Sequence, residues 1–226
     1  MMIKKKMDKN GESGNALIYV LIAIVLFAAL GFTLSRQAST TGTDEIDDAK
    51  AEILAMELMT YSAQVKSVID QMMFTGSDID ELDFTLPSEG GFNTAPHIHK
   101  IYHPQGGGLT PSTLSDKAIN QISTPPSAGW YLGRFNTVEW TLTTGSDVIL
   151  TAHQIKKPIC EKINKNLTGA ITIPALAGNL EDFLVDSATD TDFDIADCAA
   201  CEGYSTLCVS NSGATTYSFY TIVAER

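Results

Sequence analysis

The 226-residue chain carries 15 lysines and arginines against 27 aspartates and glutamates, a formal net charge of −12, and 44% of its residues are hydrophobic. A surface that acidic repels phosphate backbones, which argues against nucleic acid as a partner of the folded part. Ordinary proportions of hydrophobic and charged residues without an internal repeat exclude a disordered or solenoid chain. No phosphate loop, nucleophile elbow or HExxH motif is present, so no catalytic residue is assigned and the chain reads as a non-enzyme.

Residues 1–14 are polar and basic, with Lys4, Lys5, Lys6 and Lys9 the only concentrated positive charge. Ala16–Leu34 reads ALIYVLIAIVLFAALGFTL and has no charged side chain between Glu12 and Arg36. An uncharged run of that length is about what a helix needs to cross a bilayer core of roughly 30 Å. The lysines before it favour a cytoplasmic N-terminus, placing everything after Leu34 outside the inner membrane. A secretory cleavage site would follow the run, but the best small-x-small pattern, Ala29-Leu30-Gly31, lies inside it.

The basic leader, Gly14, and Asn15-Ala16-Leu17-Ile18-Tyr19 running into VLIAIVLFAAL resemble type IV prepilins. The resemblance implies cleavage after Gly14 by a prepilin peptidase and methylation of Asn15. It further implies assembly through the apolar helix, in which Ala16, Leu17, Ile18, Tyr19, Val20, Leu21, Ile22 and Phe27 would pack against other pilin-like subunits at an inner-membrane assembly platform. The subunit would begin in the bacterial inner membrane with an exported domain, then pass into a pilus or pseudopilus in the periplasm or outside the cell. Most pilins carry a glutamate where this chain has Tyr19, a departure known among minor subunits, so the resemblance implies a minor or specialised one. The alternative is an unprocessed single-span envelope protein whose exported domain binds a partner.

Asp44 and Glu45 open a second helical pattern, with Ile46, Ala49, Ile53, Met56, Val65, Val68 and Met72 at three- and four-residue steps. This stripe is expected to bury on a sheet. The fold expected is α+β: a long N-terminal α-helix, half membrane-spanning and half amphipathic, packed on a small antiparallel β-sheet. A helix from Asn15 to Phe74 would extend roughly 90 Å. The divisions are a leader at 1–14, a transmembrane or filament-core helix at 15–35, an amphipathic continuation at 36–74, and an exported β-rich domain at 75–226.

Residues 76–108, punctuated by Pro87, Gly90, Gly91, Pro96, Pro104 and Gly106–Gly108, read as a surface loop and candidate contact region. A short helix is expected over 115–122, then an antiparallel hairpin from Val138 to Thr151, joined by the segment around Trp130. Gln154–Leu167 reads as a helix with Ile155, Ile159 and Ile163 on one face, stopped at Gly169, and residues 215–223 as a final strand.

Cys160, Cys198, Cys201 and Cys208 are an even set in a segment read as exported, hence disulfides, with three pairings open. Pilins close a C-terminal loop with a disulfide, which implies Cys160 to Cys208 and leaves Cys198 to Cys201. Zinc is disfavoured by a single CxxC, and a redox role by the absence of a thioredoxin-like context. His97, His99 and His103 would face one side of a strand, but His103 would lie roughly 13 Å beyond His99, so a solvated loop is expected. Asp190, Asp192 and Asp194 form D-x-D-x-D, the opening of many calcium loops, yet Ile195 and Cys201 stand where an EF-hand needs glycine and glutamate. A solvated acidic loop is the expectation, with no cofactor, and calcium is the alternative. The resemblance adds that related pseudopilins bind calcium near the C-terminus.

Overall fold

A computed structural model describes residues 18–28, 47–123, 125–185 and 192–226. Among the described residues the architecture is α+β, with four α-helices and a five-stranded sheet. The chain divides into two units, 1–45 and 46–226.

In the first unit, residues 18–28 form helix α1, whose side chains are exposed throughout. At 1.5 Å per residue it extends ~16 Å, about half of a bilayer core. Among the described residues no helix is long and apolar enough to cross a membrane. Helix α2, Asp48–Phe74, begins afresh, because Asp47 has ψ 138°, outside the helical region, while its carbonyl accepts from the Lys50 and Ala51 amides. The expected continuous helix from Asn15 to Phe74, with a membrane-spanning first half, is therefore corrected.

In the second unit, strands β1 (Gly129–Arg134), β2 (Val148–His153), β3 (Ala175–Leu176), β4 (Thr206–Asn211) and β5 (Tyr217–Ala224) make one sheet in the order β1-β2-β5-β4-β3. Three pairings are antiparallel, and the short β3 runs parallel to β4. The expected wholly antiparallel sheet is corrected at that edge. β5, the last strand in chain order, is central and every residue in it is buried.

Helix α3, Lys157–Thr168, has Pro158 in its first turn and ends at Gly169, whose φ of 81° suits glycine. It packs with α2 on one face of the sheet. Ala51, Leu54, Ala55 and Leu58 meet Ile159, Cys160 and Ile163, and further along Tyr61, Val65, Ile69 and Met72 cover Val148, Leu150 and Val223. Helix α4, Leu180–Leu184, covers the other face, where Phe183, Leu184 and Phe193 pack on Ile149, Leu207, Val209 and Tyr220.

Several local expectations change. The first strand of the hairpin is β1 around Trp130, which pairs with β2, whereas Val138–Leu142 is a loop. That loop is shaped by buried Asp147, whose carboxylate accepts from the Val138 amide at 3.0 Å, the Thr141 hydroxyl at 3.2 Å and the Arg226 amide at 3.1 Å. Burial raises the Asp147 pKa despite these donors. Residues 115–122 contain only a turn and a bridge between Ile119 and Ile155, not a helix. The side chain of buried Gln154 satisfies this stretch, accepting from the Ser123 amide at 3.0 Å and donating to the Pro126 carbonyl at 2.7 Å.

Candidate functional site

The expected stripe buries only in the second half of α2, at Val65 and Met72 with Val68 packed beside them, and not in the first half. Ile53 is 66% exposed and Met56 54%, while Ala51, Leu54, Ala55 and Leu58, one position away, are buried. The outward face is Ala49, Ile53, Met56, Thr60, Ala63 and Ser67, all exposed or nearly so, at steps of four, three, four, three and four. No charged residue interrupts it. Such spacing defines one exposed face of the helix, with small or polar residues in its second half. Its members come from one continuous helix, so their mutual positions are rigid. Ile18, Tyr19, Val20, Leu21, Ile22 and Phe27 sit on α1 and are exposed. Gly14, Asn15, Ala16 and Leu17 lie outside the described residues.

Of the three cysteine pairings open to the sequence, the structure holds Cys160–Cys208 and Cys198–Cys201. The first joins α3 to β4. Beside it buried Asn164 donates to the Cys208 carbonyl and accepts from the Cys208 amide, both at 2.8 Å, and donates to the Thr172 carbonyl at 2.9 Å. The amide side chain thus acts as a neighbouring strand would, satisfying backbone that two-residue β3 does not reach.

The segment 76–108 is a folded layer rather than a passive surface loop. Leu82, Ile101, Tyr102 and Leu109 bury against α2, and Asp83 and Ile101 exchange backbone bonds with neighbours across a bridge between Asp83 and Lys100. Lys100, 4% exposed, is its centre. Its ammonium donates to the carbonyls of Gly91, Phe92 at 3.0 Å and Thr94 at 2.7 Å, with the Asp83 carboxylate at 3.9 Å. Three acceptors match its three donors. No sequence pattern singles this lysine out.

The three histidines do not converge. The rings of His97 and His103 stack at 4.1 Å with planes 9° apart, and Phe92 lies 5.1 Å from His103. Ring-nitrogen lone pairs lie in the ring planes, so stacked imidazoles present faces, not ligands, to each other. Burial first, then the charges of His97 and Lys100, hold the His103 pKa below its ordinary range. His99 contacts the Ser77 hydroxyl at 3.0 Å and Glu81 at 3.5 Å.

No protein-family model, curated protein or solved structure matches this chain.

Asp192 and Asp194 line an open depression of about 340 Å³ with Glu139, Thr137, Thr143 and Thr144, and Asp190 lies outside the described residues. The Asp194 carboxylate accepts from the Ala196 amide at 2.7 Å and the Asp197 amide at 3.1 Å, and Glu139 accepts from the Ile195 amide at 3.0 Å. These carboxylates shape their own loop. Among the described residues no group of three or more His, Cys, Asp or Glu side chains could hold a metal ion.

One Ser–His contact has the composition of a catalytic pair without its setting. His153 Nδ1 is 2.8 Å from the Ser218 hydroxyl, but both residues are fully buried across the β2–β5 pair, out of reach of a substrate. His153 Nε2 has no hydrogen-bond partner, and burial pushes the imidazole down to about 4. An imidazolium there would carry an unpaired N–H donor at Nε2, so the neutral ring is favoured.

Proposed function

We propose that this chain is a type IV pilin-like subunit, minor or specialised, built into a pilus or pseudopilus through its apolar N-terminal segment. The observation that carries this reading is the sequence junction at Gly14 and Asn15: a basic leader, a small residue and an uncharged run that begins immediately after it. Cleavage on the cytoplasmic side leaves the apolar segment on the mature protein, free to exchange lipid contacts for those of like segments, where van der Waals packing holds helices together. The exposed uncharged face of α2 supports the same reading, since it offers a second surface to neighbouring subunits once the apolar segments have gathered. Tyr19 supplies no carboxylate to pair with a neighbour's terminal amine, which supports a specialised position over the most abundant one.

The implied partners are a prepilin peptidase, other pilin-like subunits and an inner-membrane assembly platform. The role is structural, with the 46–226 unit carried on the filament surface. Intact-mass and N-terminal peptide analysis of unreduced protein from its native membrane tests this. A chain beginning at methylated Asn15 supports the proposal. A chain retaining Met1 and the lysines overturns it in favour of an anchored envelope protein.

A further inference from the structure

One end of the 46–226 unit combines unpaired acid with exposed apolar side chains. It is the end of the sheet where β2 begins and β5 finishes, Val148 standing opposite Ala224, and where Tyr204 leads into β4. Helix α2 begins at the other end: Ala51, Leu54 and Leu58 cluster with Ala152 and Phe219, and only its second half reaches Val148 and Val223.

Two segments build the surface. Residues 137–139 run beside Phe193, whose amide donates to the Thr137 carbonyl at 2.8 Å and whose carbonyl accepts from the Glu139 amide at 3.0 Å. The Trp140 ring meets Phe193 edge-on at 4.8 Å, and its indole donates to the Tyr204 carbonyl at 3.2 Å. With the bonds of the Val138 amide and the Thr141 hydroxyl to Asp147, these contacts hold the loop in one shape.

Its charge is one-sided. No lysine or arginine occurs in 135–155 or 166–225, the stretches from which this end is built. Glu139, Asp192 and Asp194 line the depression of about 340 Å³, Glu202 precedes Tyr204 by two residues, and the Glu225 carboxylate accepts from the Leu142 amide at 3.4 Å. Among the described residues none of these carboxylates belongs to an ion pair, and Arg226, the cation that follows Glu225, pairs with Asp80 instead. The backbone amides that Glu139 and Asp194 bind orient their carboxylates without neutralising them.

Apolar side chains border the same depression. Leu142, adjacent to Thr143, is 95% exposed, more than any other large hydrophobic side chain among the described residues, and Ile195, adjacent to Asp194, is 43% exposed. The Thr143 hydroxyl oxygen is buried at the wall of the depression and has no hydrogen-bond partner among the described residues. Water satisfies carboxylates, but it satisfies neither an exposed leucine nor a hydroxyl it does not reach.

We propose that this end of the unit docks a lysine- or arginine-bearing segment of another protein, its cations beside Glu139, Asp192 and Asp194 and an apolar side chain on Leu142 and Ile195. Charge complementarity selects the partner. Unpaired carboxylates repel phospholipid headgroups and nucleic acid, and a bare metal ion would leave the apolar border uncovered. A segment that is both cationic and apolar answers both features. Cleavage after Gly14 plays no part, so the surface is the same on a pilin-like subunit and on an anchored envelope protein.

The test uses the full, oxidised chain in a neutral detergent and a short acetylated peptide amide in which leucine is flanked by lysines; a second peptide has glycine in place of leucine. A water-soluble carbodiimide joins the amine of a bound peptide to a neighbouring carboxylate, and mass spectrometry locates the link. Coupling of the leucine peptide at Glu139, Asp192 and Asp194 should exceed that at exposed Glu57 and Glu89 by about threefold or more. It should fall by about as much with the glycine peptide, with Leu142→Ser, or in about 0.5 M NaCl, while coupling at Glu57 stays the same for Leu142→Ser. Equal coupling at the two sets of carboxylates, or equal coupling by the two peptides, overturns the proposal. A link from these carboxylates to a lysine of a second copy, which the peptide fails to displace, assigns the surface to self-association and overturns it. Calorimetric binding of calcium without preferred coupling of the peptide assigns the depression to a divalent cation and overturns it as well.

Discussion

Replacing His153 with asparagine should remove a specific part of the protein's acid sensitivity. His153 is fully buried on β2, bonded through Nδ1 to Ser218, and burial pushes its pKa to about 4. In the unfolded chain the imidazole titrates near its ordinary value of about 6.5. Between these values the unfolded state binds the extra proton, so stability is lost as pH falls from about 6.5 to about 4 and is fully present above that window. At about 1.36 kcal/mol per pH unit the loss is ~3 kcal/mol. Asparagine places a polar atom near the position of Nδ1 and does not titrate. Urea unfolding of oxidised wild type and His153→Asn at pH 4, 5, 6 and 7, followed by fluorescence of Trp130 and Trp140, gives the difference directly. Carboxylates and the other histidines titrate in both proteins and cancel. The advantage of wild type over variant should grow by ~3 kcal/mol from pH 4 to pH 7. Parallel profiles would refute the claim that His153 is held neutral by burial.

Lys100→Met should cost ~2–4 kcal/mol by leaving the carbonyls of Gly91, Phe92 and Thr94 unpaired, and proteolysis should open the 76–108 layer before the sheet. A Cβ at Gly107 would lie 2.5 Å from the Ile101 carbonyl oxygen and 2.7 Å from Met72 Sδ, so Gly107→Ala should lower stability by ~1–3 kcal/mol in urea titrations. Loss of Cys160–Cys208, which spans 48 residues, should cost ~4 kcal/mol in the chain-entropy model, against ~2 for Cys198–Cys201, which spans three; paired cysteine-to-alanine variants measure both. Ile53→Lys with Met56→Lys should change stability by no more than ~0.5 kcal/mol, because both side chains face solvent, while abolishing co-isolation with filaments.

The helical character of α2 was legible from its spacing, and so was the buried face of its second half at Val65 and Met72, but not that of its first half. In its first half two apolar stripes lie side by side: Ile53 and Met56 outshine Ala51 and Ala55 on hydrophobicity, yet the alanines bury because their small size lets α3 approach. Only the packed neighbour decides between them. The strand character of β5 was legible from its aromatic and β-branched residues. The hairpin was misplaced because Val138–Leu142 has the same chemistry, while Asp147 draws its backbone into a loop. Lys100, Asn164 and Gln154 were invisible because a buried polar residue reads from sequence as a solvated one. Their partners are backbone groups distant along the chain, and no local pattern encodes them. The stacking of His97 on His103 was not legible either, because the same punctuation by proline and glycine reads as a solvated loop.

The central position of β5 sets the order of synthesis against the order of assembly. β1 and β2 can pair early, but β2 and β4 lack a common neighbour until residues 217–224 have been made. Before then both faces of the sheet want the strand that carries Phe219, Tyr220 and Val223, and the half-made sheet exposes two open edges. The sheet therefore closes through contacts of long sequence separation, which form slowly.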